Sequence, residues 1–343
     1  MTNIDPQEKI NEMISIPSQR NYWLVRSMGG DYFREYYKKM FVAIGYDKIF
    51  LKDIKYVRTF GTEAQRKLTE IITERYVNDK NINPSYAASQ LLKFSLDIKV
   101  GDIVIVPGKS YNRHIALGIV NSNVYEEKGP LESSEREEIC PFTKRIDVKW
   151  IKADYRNALN PQMQLMFNSR HIVSNVTHYA EYIDSTTNDF YGKDDNTYLV
   201  LRVKTKQDIS GSDFLFVGDI FQLVNEYFEE KKINIKAEDV VKIKACVQSP
   251  GDIIMFAKEN SGLVMFAIGA LILLINGGGL KISSIGVDLS TPGLLKSVSE
   301  FLDRKRDRKL QEAAEKKLRS LEIKNPEDLL NVIKALKNPR TEY

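Results

Sequence analysis

The stretch from Gly262 to Ile275 carries no polar side chain, and it constrains this chain more than any other segment. Such a run has to leave water, either in a protein core or in a bilayer, and about 18 to 20 residues are needed to span the hydrocarbon. Its length therefore predicts a buried core helix, closed by Asn276 and the glycines Gly277 to Gly279. Docking onto a membrane, or insertion into one, is the alternative. A helix apolar on all sides needs a domain built around it. At 343 residues the chain exceeds one ordinary core, since domains usually run to about 100 to 200 residues, so two domains are expected.

Residues 1–20 read as a leader with no apolar h-region, and hence as neither a signal nor a transit peptide. Tyr22-Trp23-Leu24-Val25-Arg26 is an aromatic and β-branched run of strand type. Gly29 and Gly30 break it, Asp31 is placed to cap a helix, and Phe41 to Gly45 reads as a second strand. Thr62 with Gln65 forms a capping-box pattern for a helix through about Tyr76. Asn83 before Pro84 starts another, through about Leu96. Val100 to Pro107 and His114 to Val120 are β-rich runs that should pair as a hairpin across the loop Gly108 to Arg113. Ile146 to Trp150 alternates like a half-buried strand.

From Asp184 to Thr197 the composition turns to Ser, Thr, Asn, Asp and Gly, as in an exposed connection between domains. A strand at Tyr198 to Lys204 follows, then a helix with Val217, Ile220, Phe221, Val224 and Phe228 on one face. A strand pair turned at Ser249-Pro250-Gly251 precedes the apolar helix. Lys281 to Val287 reads as a strand after it, and Thr291-Pro292 as a helix start. That helix is expected to run through the basic stretch Arg304 to Lys309 and on to Arg319, before Asn325-Pro326 opens a last short one.

Signatures of chemistry are absent. The chain has neither a phosphate-binding P-loop nor GxGxxG, GxSxG or HExxH. Its three histidines, His114, His171 and His178, have no metal-ligand spacing. Three of the chain's E-x-K and D-x-K strings, beginning at Asp303, Glu315 and Glu322, sit in the helical C-terminal tail, where they cannot share a sheet edge with a second carboxylate to hold Mg²⁺. No catalytic residue, metal or cofactor is therefore expected. Cys140 and Cys246 lie far apart and suit a reduced, cytoplasmic compartment. The net charge of +4 permits a nucleic-acid partner without demanding one.

Four separated pieces are together more specific. Trp23 to Gly30, Phe41 to Tyr46, Val100 to Pro107 leading into His114 to Gly118, and Val148-Lys149-Trp150 before Tyr155-Arg156 resemble, in order and spacing, the N-terminal domain of prokaryotic Mrr-type restriction and antiviral defence proteins. That domain looks like a member of the PUA/EVE group of nucleic-acid readers. The resemblance covers about half the chain and implies an α+β architecture. A PUA/EVE-like, β-barrel-type sheet flanked by helices would occupy 21–184 and hold a base in a concave pocket. A connection at 185–197 and a small α/β module at 198–343, with a long C-terminal helix, would follow.

In that pocket Trp23 and Trp150 would offer π-faces, Arg26 and Arg113 would meet phosphate or a base edge, Tyr111 and His114 would flank the ligand, and Gly29 and Gly30 would let backbone N–H groups approach an anion. The restriction proteins carry a nuclease domain after the reader, and this sequence does not. The expected function is nucleic-acid or nucleotide sensing in a defence system. The second module would oligomerise, dock a partner or, in the alternative, insert Gly262 to Ile275 into a membrane.

Overall fold

The computed structural model describes residues 15–109, 114–127, 139–245, 251–258, 262–276, 294–305 and 308–337. Expectations that lie outside them are the leader up to residue 14, Tyr111, Arg113, Cys246, the turn at Ser249-Pro250, Gly277 to Gly279, the strand at Lys281 to Val287 and the helix start at Thr291-Pro292. The chain is mixed α and β, and it divides into a unit at Gln19–Thr187 and a second unit made of Met1–Ser18 with Asn188–Tyr343.

The first unit runs β1 (Tyr22–Val25), α1 (Phe33–Lys39), β2 (Phe41–Ile44), α2 (Leu51–Arg58), α3 (Ala64–Arg75), α4 (Pro84–Leu92), β3 (Ile103–Pro107), β4 (His114–Val120), β5 (Tyr125–Glu126), β6 (Lys144–Tyr155), α5 (Pro161–Gln164), β7 (Val173–Asn175) and α6 (Ala180–Thr187). Its curled sheet is ordered β2-β6-β4-β3-β1-β7, with β5 beside β6. β1 and β3 are parallel, and the remaining pairs are antiparallel. Continuous apolar strands suit a sheet buried on both faces, and the alternation of side chains supplies two cores. Trp23, Val25, Val104 and Val106 pack with Leu68, Ile72, Leu91 and Phe94 from the helices. Tyr22, Leu24, Ile103, Ile105 and Leu117 face the other way, onto Met163, Met166 and Ile183.

The second unit contains β8 (Phe190–Lys193), β9 (Asn196–Val203), α7 (Gly211–Phe214), α8 (Phe216–Glu230), α9 (Ala237–Val240), β10 (Lys242–Ala245), β11 (Gly251–Lys258), α10 (Gly262–Asn276), α11 (Leu294–Arg304), α12 (Lys309–Ser320) and α13 (Glu327–Lys337). Its antiparallel sheet is ordered β10-β11-β9-β8. The apolar run forms α10 and packs on β9, β11, α8 and α11. Phe266 and Leu271 are buried, and Leu263 and Leu274 pack partly buried against the same core. At Gly269 an added Cβ would lie 2.4 Å from Leu329 Cδ2, so the glycine lets α13 approach α10 closely. Asn276 ends the helix by donating from Nδ2 to the carbonyl of Ile323 at 2.6 Å. Among the described residues no helix is long and apolar enough to cross a membrane.

Three expectations are corrected. The stretch 185–197 is not an exposed connection: Ser185 and Thr186 are buried at the end of α6, and β8 and β9 form a hairpin turned at Asp194-Asp195, both with positive φ. The polar residues misled because they serve a buried helix end and a tight turn. The long C-terminal helix is two helices, α11 and α12, with non-helical Lys305 and Arg308 between them; like charges four apart, as in Arg304 and Arg308, disfavour a continuous helix. The Thr62 capping box does not form, because a 3₁₀ turn at Gly61–Glu63 leads into α3.

The entry to α13 carries a pair of carboxylates. Asp189 accepts from the N–H groups of Glu327 and Asp328, both at 2.8 Å, and its own N–H donates to Asp328 Oδ2 at 2.7 Å. Burial first, and then the Asp328 charge, push the Asp189 carboxyl up to about 6. The folded state thus holds a proton that the unfolded chain has released, so this group's contribution to stability declines as pH rises from about 4 to about 6. Asp328→Asn keeps an oxygen for the Asp189 N–H and removes the charge. The variant is expected to show a shallower decline over that window in denaturant midpoints; superimposable profiles would rule out the coupling.

Candidate nucleic-acid interface

α1 builds the site. It starts after a 3₁₀ turn at Met28–Gly30 and ends at Met40, whose φ of 57° is left-handed. Spacing of four places Phe33 and Tyr37 on one helix face, while Tyr36 turns inward and donates its hydroxyl to the Ala43 carbonyl at 3.0 Å. Phe33 and Tyr37 are near-parallel, with centroids 6.3 Å apart and planes 9° from one another. Phe33 also lies near-parallel to His114, at 6.5 Å and 16°. His114 is 4.6 Å from Tyr155, its pairing partner across β4 and β6. At the other end Tyr37 meets Trp150 at 5.9 Å. The result is a continuous row, Trp150, Tyr37, Phe33, His114 and Tyr155, drawn from one helix and two strands.

The row is anchored below and open above. Trp150 donates its indole N–H at 3.2 Å to the Tyr36 carbonyl, which also accepts the backbone N–H of Met40 at the end of α1. Its ring also sits on Gly118, at the bulge where β4 and β6 shift register. Phe33, His114 and Trp150 are half-buried, whereas Tyr37 is 42% and Tyr155 is 54% exposed. Exposed Arg34, Lys38 and Lys149 stand on the same elements.

The expected site residues divide accordingly. His114 and Trp150 come together in the row. Trp23 does not: its ring is buried, and its indole N–H donates to Asp102 at 2.8 Å, so it offers no face to a base. Arg26 lies elsewhere, donating to the carbonyls of Phe167 at 2.8 Å and Ser169 at 3.1 Å; burial lowers its pKa. Its guanidinium closes the end of a 3₁₀ turn at Leu165–Asn168. Gly29 has open space around it, whereas Gly30, at φ 100°, lies against the backbone of Gly108 and Lys109 at the start of the β3–β4 loop. The sequence reading missed Phe33, Tyr37 and Tyr155, although the pair of rings four apart in a basic helix was a usable signal.

Among the described residues no cluster of His, Cys, Asp or Glu could hold a metal ion. The lysines of two E/D-x-K strings are tied to acids on α8, Lys317 to Asp219 at 2.7 Å and Lys305 to Glu226. No curated protein and no solved structure matches the chain. Residues 23–174, which hold every ring of the row, match the family model described as a domain of unknown function (DUF8426).

Proposed function

We propose that the first unit is a nucleic-acid or nucleotide reader of the PUA/EVE-like kind, belonging to a defence protein. The second unit would pass the bound state to a partner or to a second copy. One observation carries this reading: five rings from three elements meet in a row that is exposed at Tyr37 and Tyr155, with Arg34 and Lys38 of the same helix beside it. Aromatic faces left half-exposed at a helix–sheet junction forgo burial unless a planar ligand covers them, and bases stack on such faces with little regard for sequence. The curled sheet supports the reading, as does the arrival of β4 at the row directly after the loop that a PUA-like reader would use.

The test is a titration of the full chain with labelled single-stranded DNA, single-stranded RNA and nucleoside monophosphates, at low and high salt. Binding that weakens with salt is expected. His114→Ala should weaken it about tenfold, the order of one lost stacking contact, with circular dichroism unchanged. Absence of binding to all three ligand types would sink the proposal.

A further inference from the structure

We infer that the row takes a single strand of nucleic acid drawn out along its length, about four nucleotides of it, and not one base in an enclosed pocket. This inference rests on the reader function proposed above and specifies its ligand. Between Trp150, Tyr37, Phe33 and His114 the steps are 5.9, 6.3 and 6.5 Å. Each exceeds the spacing of about 3.4 Å between stacked bases in a strand. A strand that follows the row must part its bases, each meeting its own ring. A duplex cannot do this, because its bases remain stacked and paired.

His114 and Tyr155, only 4.6 Å apart, act as one station, which leaves four. Two of those stations are exposed. Tyr37 and Tyr155 are open to solvent, and the ring planes of Tyr37, Phe33 and His114 are near-parallel. Exposed Arg34 and Lys38 follow Phe33 and Tyr37 along α1, where a phosphate backbone would run, whereas Lys149, next to Trp150 in β6, projects from the other face of the sheet. Recognition would rest on base planes and phosphates and would favour single strands over sequence, as stacking platforms with a cationic margin do.

The experiment uses the full chain with oligothymidylates and oligoadenylates of increasing length, from mononucleotide to octamer, and an octamer duplex. Affinity should climb with length, level off near four nucleotides and be at least tenfold weaker for the duplex. Tyr37→Ala and Tyr155→Ala remove exposed rings from different stations, so the fold has little to lose. Each should weaken octamer binding about tenfold, and Tyr155→Phe should restore it, since the ring face alone is required. A mononucleotide that binds as tightly as the octamer overturns the drawn-out strand while leaving nucleotide reading intact. A duplex that binds as tightly as the single strand overturns it too. Failure of every ligand to bind overturns the reader function itself.

Discussion

Replacing Asp102 with alanine is expected to lower the melting temperature of the first unit by about 10 °C, a larger change than any exposed-ring substitution should produce. Asp102 is 3% exposed and sits at the start of β3. Its Oδ1 accepts the N–H of Asn21 at 3.0 Å, and its Oδ2 accepts the indole N–H of Trp23 at 2.8 Å and the N–H of Lys99 at 3.0 Å. One carboxylate thus ties β1 to β3, the parallel pair inside the sheet, and holds the turn before β3. Each donor left without an acceptor in a buried place costs about 1 to 3 kcal/mol. The three losses are not additive, and a total of about 3 to 5 kcal/mol is expected. A domain of this size loses about 2 to 4 °C per kcal/mol. Asp102→Asn retains one acceptor oxygen and should fall between wild type and alanine in calorimetry. A melting temperature within about 2 °C of wild type for Asp102→Ala would show that water replaces the carboxylate at no cost.

That same carboxylate shows why Trp23 was misread as a base-facing ring, although its local pattern matches that of Trp150. Both stand in strands beside basic residues, and nothing in the local pattern separates a tryptophan with an internal acceptor from one at a surface. Trp23 finds Asp102 seventy-nine positions away, a separation that periodicity does not report. Lys144 is similar: it looks like the outward residue of an alternating strand, yet it is buried, and its ammonium donates to the carbonyls of Tyr46 and Ile49 at 3.1 and 3.0 Å.

The elements themselves were legible where one physical effect dominates. The β-branched runs of β3 and β4, the Asn83-Pro84 start of α4, whose Asn83 side chain accepts from the Tyr86 N–H at 3.0 Å, and the length of α10 are all local properties. The row of rings was only half legible. His114 and Trp150 lie on strands that the sequence marks clearly, but their continuation through Phe33 and Tyr37 depends on where α1 is laid across the sheet. Contacts between elements, not patterns within them, set that placement.

Gly118→Val is expected to disable the row without altering any ring. A Cβ at position 118 would lie 2.3 Å from Val148 Cγ1, 2.7 Å from Trp150 Cε3 and 3.1 Å from the Lys149 carbonyl, all well inside contact distance. The bulge at this point places Gly118 opposite Trp150 and leaves Ile151 as the extra residue of β6. β6 therefore cannot slide to make room without losing its register. The side chains of Val148 and Trp150 must both give way, and lifting the indole breaks its hydrogen bond to the Tyr36 carbonyl and removes the end of the row beside Tyr37. Overpacking of this kind costs about 1 to 3 kcal/mol, which should leave a folded protein. Binding of a single-stranded octamer should fall at least tenfold, comparable to the loss of a stacked base.

The chain has two tryptophans, and Trp23 is buried, so a red shift in emission would report the release of Trp150 directly. Trp150→Phe in the wild-type background separates the causes: it keeps a ring over Gly118 and loses only the indole donor, and it should retain more affinity than Gly118→Val. If Gly118→Val shows the red shift yet binds the octamer like wild type, Trp150 is no part of the binding surface and the row must end at Tyr37.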